Sequence, residues 1–169
     1  MELKKDIYKH YEEEKWLKSE IPEKIVVSMF EIDCWDMREA LSGKHRKIAE
    51  EEIEIIAKTA WNQTNKLLKR FKEWHDIIEK SPQNIEELNE IWEFMTKVPI
   101  EIKKIKSEME RAQDVYETLN EFAYKFKSDD DFELKWKLFG SPKETFEKAE
   151  YQTKQLEKDQ EKFVNQMMT

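Results

Sequence analysis

At 169 residues the chain is one domain's worth of polypeptide, and 40% charged against 38% apolar residues, with six Trp and nine Phe, excludes a disordered tail, which would be poor in aromatics. Two glycines and four prolines are too few for a many-stranded β protein, and a single cysteine, Cys34, excludes an internal disulfide framework. The net charge of -8 argues against nucleic acid, anionic membranes and microtubules as direct partners, because such contacts rest on Lys and Arg neutralising an acidic surface.

The first element is a helix over residues 1–20, with Leu3, Ile7 and Tyr11 one turn apart. After Pro22 the composition changes. "EKIVVSMFEIDC" is dense in β-branched and aromatic residues, which predicts an extended segment within residues 21–33, centred on 25–32. Asp33 is placed to cap the helix that follows through Met37 and Leu41.

From Lys44 to Lys80 neither Gly nor Pro interrupts the chain. One long helix is expected there, with a seam of Ile53, Ala57, Ala60, Thr64, Leu67, Phe71, Trp74 and Ile78. Leu41, Ile48 and Ile55 follow another phase, so the buried face is expected to rotate between the two halves. "SPQNIEEL" then opens a further helix, with Asn84 as N-cap, Glu87 completing a capping box, and Ile85, Leu88, Trp92 and Met95 on one face.

Pro99 lacks an amide hydrogen and is placed in the first turn of a new helix. Ile102, Ile105, Met109, Ala112, Tyr116, Leu119, Ala123 and Phe126 form its seam. A preset register filled entirely by apolar residues arises by chance about four times in ten thousand at this composition, so burial is the economical reading.

"SDDDFELKWKLFGSP" reads as a joint. One of Asp129, Asp130 and Asp131 caps a two-turn segment carrying Phe132, Trp136 and Phe139. Gly140 takes a left-handed cap position, and Ser141, Pro142 and Glu144 restart the helix. If Trp136 anchors this joint, Trp136→Ala costs about 3–5 kcal/mol. The last helix carries Phe146, Ala149, Leu156, Phe163 and Met167 and is still in stride at Thr169, so the native polypeptide is expected to continue.

Chemical constellations fail one after another. "LSGKH" lacks the earlier glycine and the following Ser or Thr of a phosphate-binding loop. The aspartate run lacks glycine at the sixth position of a calcium loop. His10, His45 and His75 have no Glu three residues before them, as a di-iron bundle requires. Cys34 reads as a small buried hydrophobe and the tryptophans as packing anchors. No catalytic set, cofactor site or metal site is expected. Nor is any membrane span, since no stretch approaches the ~20 apolar residues required, and a soluble, intracellular chain is the expectation.

The fold class is therefore all-α, an elongated monomeric bundle of long antiparallel helices (residues 34–169) with one short extended segment. Three stretches in order, "EIPEKIVVSMFEIDCWDMREALSGKH", "SPQNIEELNEIWEFMTKVPIEIKKIKSEMERAQDVYETLNEF" and "DDDFELKWKLFGSP", resemble the stem region of dynein heavy chains, most closely the axonemal kind. The residues that carry it are Ile21, Pro22, Phe30, Asp33 and Cys34, then Pro99, then Phe132, Trp136, Phe139, Gly140 and Pro142. The chain departs from that pattern at Ser28, where the family more often has glycine, at Gly43, where it has a charge, and at Ser141, where it has a bulky aromatic.

The resemblance implies a non-catalytic piece of the N-terminal stem, before the linker into the motor ring. Its parent is an ATP-driven, minus-end-directed microtubule motor of the ciliary or flagellar axoneme, with ATP and Mg bound in the ring and microtubules at a separate stalk. Other heavy, intermediate or light chains and the adjoining linker are the implied partners. Two other classes stand beside it: a free-standing spectrin-like adaptor that binds partner helices, and a bundle enzyme with a buried metal.

Overall fold

The computed structural model describes Glu2 to Met168. Its elements in order are helix α1 (Glu2–Glu20), strands β1 (Lys24–Val27) and β2 (Phe30–Asp33), and helices α2 (Trp35–Ile78), α3 (Ile85–Glu121) and α4 (Asp129–Met167). The all-α expectation holds, with a small two-stranded sheet as the only other regular structure among the described residues. Thr169, where the last seam was expected to be in stride, lies outside them.

The extended segment pairs with itself. β1 and β2 form an antiparallel hairpin in the register Lys24↔Asp33, Ile25↔Ile32, Val26↔Glu31 and Val27↔Phe30. Its two-residue turn puts Ser28 at φ 56 while Met29 keeps a negative φ, the pattern of a type II′ turn whose first position favours glycine. The serine stands where the resembled family more often has glycine, and it takes up the glycine conformation.

Several long helices were expected to break and do not. α3 runs straight through Pro99, and the expected restart there is absent. One stripe of buried and half-buried residues, Leu88, Ile91, Met95, Val98, Ile102, Ile105, Met109, Ala112, Tyr116 and Leu119, alternates three and four apart on both sides of the proline. Pro99 itself is exposed, so the seam holds the helix while the missing amide bond faces water. α3 ends earlier than expected, because Ala123 adopts φ 52 and the Tyr124 amide donates back to the Leu119 carbonyl at 3.0 Å. That is a Schellman stop with alanine in the usual glycine place, and it takes Ala123 and Phe126 out of the helical seam.

α2 is likewise one helix through Gly43, and its buried face does not rotate. Ser42, Ala49, Ile53, Ile56 and Ala60 are buried, whereas Leu41, Ile48 and Ile55 point outward. The stripe was missed because its upstream half uses small and polar residues.

Two compact units divide the chain. The first holds everything to Thr59 with Glu117–Tyr124, and the second holds Ala60–Tyr116 and the chain from Lys125 onward. In the second, one cluster gathers Leu67, Phe71, Trp74, Ile105, Ala112 and Leu138. A second gathers Ile78, Leu88, Ile91, Met95, Val98 and Leu156. In the first unit the buried residues are Ile7, Glu14, Cys34, Ser42, Ala49, Ile53, Ile56, Thr118 and Leu119.

Candidate functional site

The residues singled out from the sequence fall into two groups, one in each unit. In the first unit Pro22 is exposed between α1 and β1, and Phe30 is 68% exposed at the start of β2. The Asp33 carboxylate accepts the Trp35 amide at 2.9 Å, but the Arg38 amide donates to the Cys34 carbonyl at 2.9 Å, so Cys34 holds the expected cap position and Asp33 bonds the first turn from one residue before it. Cys34 is buried; its amide donates to the Glu23 carbonyl at 2.8 Å and extends the hairpin ladder by one bond.

In the second unit the expected joint is absent. α4 passes through Gly140, Ser141 and Pro142 without a break. Gly140 has no positive φ, and a Cβ there would meet nothing within 4 Å, so glycine is required neither for a turn nor for a close approach. Ser141 turns its hydroxyl to the Lys137 carbonyl at 2.6 Å, bonding back into the helix instead of capping a new one. The N-cap of α4 is Ser128, whose Oγ accepts the Asp131 amide at 3.2 Å. The three aspartates occupy the first turn, where negative charge suits the helix dipole without capping.

Phe132 and Trp136 do not bury themselves. Trp136 is 58% exposed, and it meets Phe132 edge-on at 6.2 Å between ring centroids. The row continues through Phe126, at 6.1 Å from Phe132, to Tyr116 and Phe139. The Lys135 ammonium lies 5.6 Å from the Tyr116 ring and 5.4 Å from the Trp136 ring, a cation–π contact supplied from within the chain. Tyr116 closes the row from inside, sharing a hydrogen bond of 2.8 Å with Thr64, and burial raises its phenol against the opposing Thr64 bond. Such an arrangement fastens the α3–α4 connection; for Trp136→Ala the expected cost falls to that of an exposed aromatic pair, about 0.5–1.5 kcal/mol.

Two polar clusters had no visible signal. His75 shares a 2.8 Å hydrogen bond with Thr145, which donates to the Ser141 carbonyl at 2.7 Å. Thr145 therefore receives the Nε2 proton of His75, and Nδ1 faces the Lys148 ammonium at 3.4 Å. Burial first, and then Lys148, hold the imidazole below its usual range against Glu144, Glu79 and Asp76. Lys148 in turn is paired with Glu79 at 2.7 Å and Glu144 at 3.3 Å.

In the first unit Glu14 is 6% exposed on α1, bound by Arg46 at 2.7 Å and Lys18 at 3.0 Å. Burial pushes its carboxyl up, and the hydrogen bonds from Lys18 and Arg46 outweigh it and hold the group below the usual carboxylate range. His10 and His45 face each other with Nδ1 atoms 2.9 Å apart. These pairs join helices far apart in sequence, which single-helix periodicity does not reveal.

Among the described residues no three His, Cys, Asp or Glu side chains converge as a metal would require, and no helix is long and apolar enough to cross a membrane. What the arrangement does chemically is hold helices together.

No protein-family model matches the chain. It is 28% identical over 162 residues to dynein axonemal heavy chain 1 of Homo sapiens and 25% identical over 162 residues to that of Mus musculus, covering 96% of this chain in both. A third match, 26% over 98 residues, is to the Rattus norvegicus protein of the same name. The chain spans about 4% of the length of the human and mouse relatives. The ordered trio of stretches and the near-complete coverage agree: over nearly its whole length the chain is similar in sequence to a segment of the proteins named dynein axonemal heavy chain 1.

Proposed function

We propose that this segment is a force-transmitting, non-catalytic part of the stem of an ATP-driven, minus-end-directed microtubule motor of the axoneme. The observation that carries it is the unbroken seam of α3, joined to relatives named as axonemal dynein heavy chains. A helix of 37 residues at 1.5 Å per residue is about 55 Å long. Packed along one continuous apolar stripe, such a helix carries load lengthwise without a hinge. ATP and Mg would belong to the motor ring of the parent, and heavy, intermediate or light chains and the linker would be the partners.

The test uses the full-length heavy chain. Ile105→Ala with Leu119→Ala should leave ATP hydrolysis near the parental rate and slow microtubule gliding. Gliding at the parental speed would end the force-transmission reading. A spectrin-like adaptor remains the second reading, favoured by the same long seams. An antibody raised to residues 1–169 separates the two, since a very large polypeptide on a denaturing gel supports the motor and a band near 20.7 kDa supports the adaptor.

A further inference from the structure

The hairpin is amphipathic and uncovered. Paired residues of antiparallel strands share a face, so Ile25, Ile32, Val27 and Phe30 stand together on one side. Lys24, Glu31 and Asp33 stand on the other with Val26, and Lys24 and Glu31 form an ion pair of 2.6 Å. All eight strand residues are exposed, and Met29 at the turn is 86% exposed. Strands alternate apolar and polar when one face is to be packed, and an isolated two-stranded ribbon is marginal in water without a third strand or a helix against it.

The unmet need is on the face, because water satisfies the open backbone edges but not four apolar side chains. A two-stranded ribbon is about 10 Å wide, close to the diameter of one helix. Along the segment that carries this face the charge is one-sided. From Glu20 to Glu39 there are six acidic residues against two basic ones. Both cations are already engaged, Lys24 by Glu31, and Arg38 by Glu23 and Glu39. A second copy of a chain carrying net charge -8 would bring like charge to this rim.

We propose that the apolar face of the β1–β2 hairpin seats an amphipathic helix whose apolar stripe is flanked by lysine and arginine. Val27 and Phe30 are the anchors, Met29 adapts to the partner's shape, and the acidic rim sets the helix's charge preference.

The probe is a fluorescein-labelled Leu/Lys amphipathic helix peptide, compared with its Leu/Glu counterpart and with an alternating Val/Lys strand-forming peptide. Fluorescence anisotropy on the full chain should show the Leu/Lys helix binding at least about tenfold tighter than either rival. Val27→Thr with Phe30→Thr keeps strand-favouring side chains and should weaken that binding by roughly tenfold or more. Phe146→Thr, on the separate apolar groove that Pro99, Met109, Phe139 and Pro142 line, should leave it unchanged. Equal binding of Leu/Lys and Leu/Glu peptides, or binding indifferent to Val27→Thr/Phe30→Thr, overturns the proposal. So does tighter binding of the strand peptide, which would mean edge pairing. A stable dimer of the free chain by light scattering, lost in the double variant, would make the occupant a second copy and overturn it as well.

Discussion

The two units are built from the same long helices but close on different chemistry. In the second, Phe71 and Trp74 meet edge-on at 5.2 Å within a cluster of large apolar side chains. Its buried polar residues are mutually bonded, Thr64 to Tyr116 and Thr145 to Ser141 and His75. The first unit buries no aromatic ring among its described residues and closes on the aliphatic Ile7, Ile53, Ile56 and Leu119, with the small Ser42 and Ala49 of α2 and the carboxylate of Glu14 among them. Lys4 and Tyr8 of α1 add exposed bonds to Glu121, and Tyr8 packs its ring on Phe122 at 5.1 Å. Aromatic rings and large apolar clusters close one unit, and aliphatic side chains with a paired carboxylate close the other. The difference teaches that one heptad-like helix can serve both kinds of packing, because a seam specifies direction and not chemistry.

The largest expected effect lies in the apolar unit. Phe71→Ala should lower the free energy of unfolding by about 3–5 kcal/mol, read from chemical denaturation. A loss below that of a conservative surface change would break the claim that this cluster dominates. In the opposite direction, Pro99→Ala restores an amide to the exposed face of α3 and should stabilise by about 3 kcal/mol. A loss of stability there would mean that the proline sets a bend which the second unit's packing requires.

Smaller effects test the polar side of the comparison. Glu14→Gln should cost about 1–2 kcal/mol at neutral pH, since it leaves Arg46 and Lys18 facing a neutral amide. The folded carboxyl is depressed, so its stabilisation is full above the ordinary Glu range, near pH 4.3, and is lost as pH falls through the lower folded value. Thermal melts of parent and Glu14→Gln should therefore converge in acid. For His75 the folded imidazole is also depressed, so its neutral form stabilises the second unit above about pH 6.5 and less as pH falls below it. Amide exchange around Thr145 should quicken across that interval, and no change would detach His75 from the unit's stability.

Gly140→Ala gives the smallest shift and the cleanest sign. In an exposed helical position with room for a methyl group, alanine should stabilise by about 1 kcal/mol. A cap at Gly140 would require the reverse, so denaturation midpoints separate the continuous helix from the joint.

The seams through Leu67, Phe71, Trp74 and Ile78 and through Ile105, Ala112, Tyr116 and Leu119 were legible in the sequence, because large apolar residues at helical spacing have few other uses. So were the Asn84 cap, with its 2.8 Å bond from the Glu87 amide, and the extended character of residues 25–32. The relation to dynein heavy chains was legible in ordered stretches of sequence, and the comparisons carry it.

Other features were decided only by tertiary structure. Pro99, Gly140 and Pro142 are local breakers, and local propensity amounts to about 1–3 kcal/mol per site. Seams on both sides of each one outweigh that when they face the same partner, and sequence alone does not say that they do. The same holds for Glu14 and His45 on buried or half-buried faces, which meet Arg46 and His10 on another helix. Phe132 and Trp136 show the converse, two aromatic rings left largely in water because helix α4 turns its Leu138 face inward instead. The sequence by itself determined the period, the Asn84 cap and the class of fold; which face each helix buries, and whether a breaker breaks, came from contacts distant along the chain, where burial outweighs propensity.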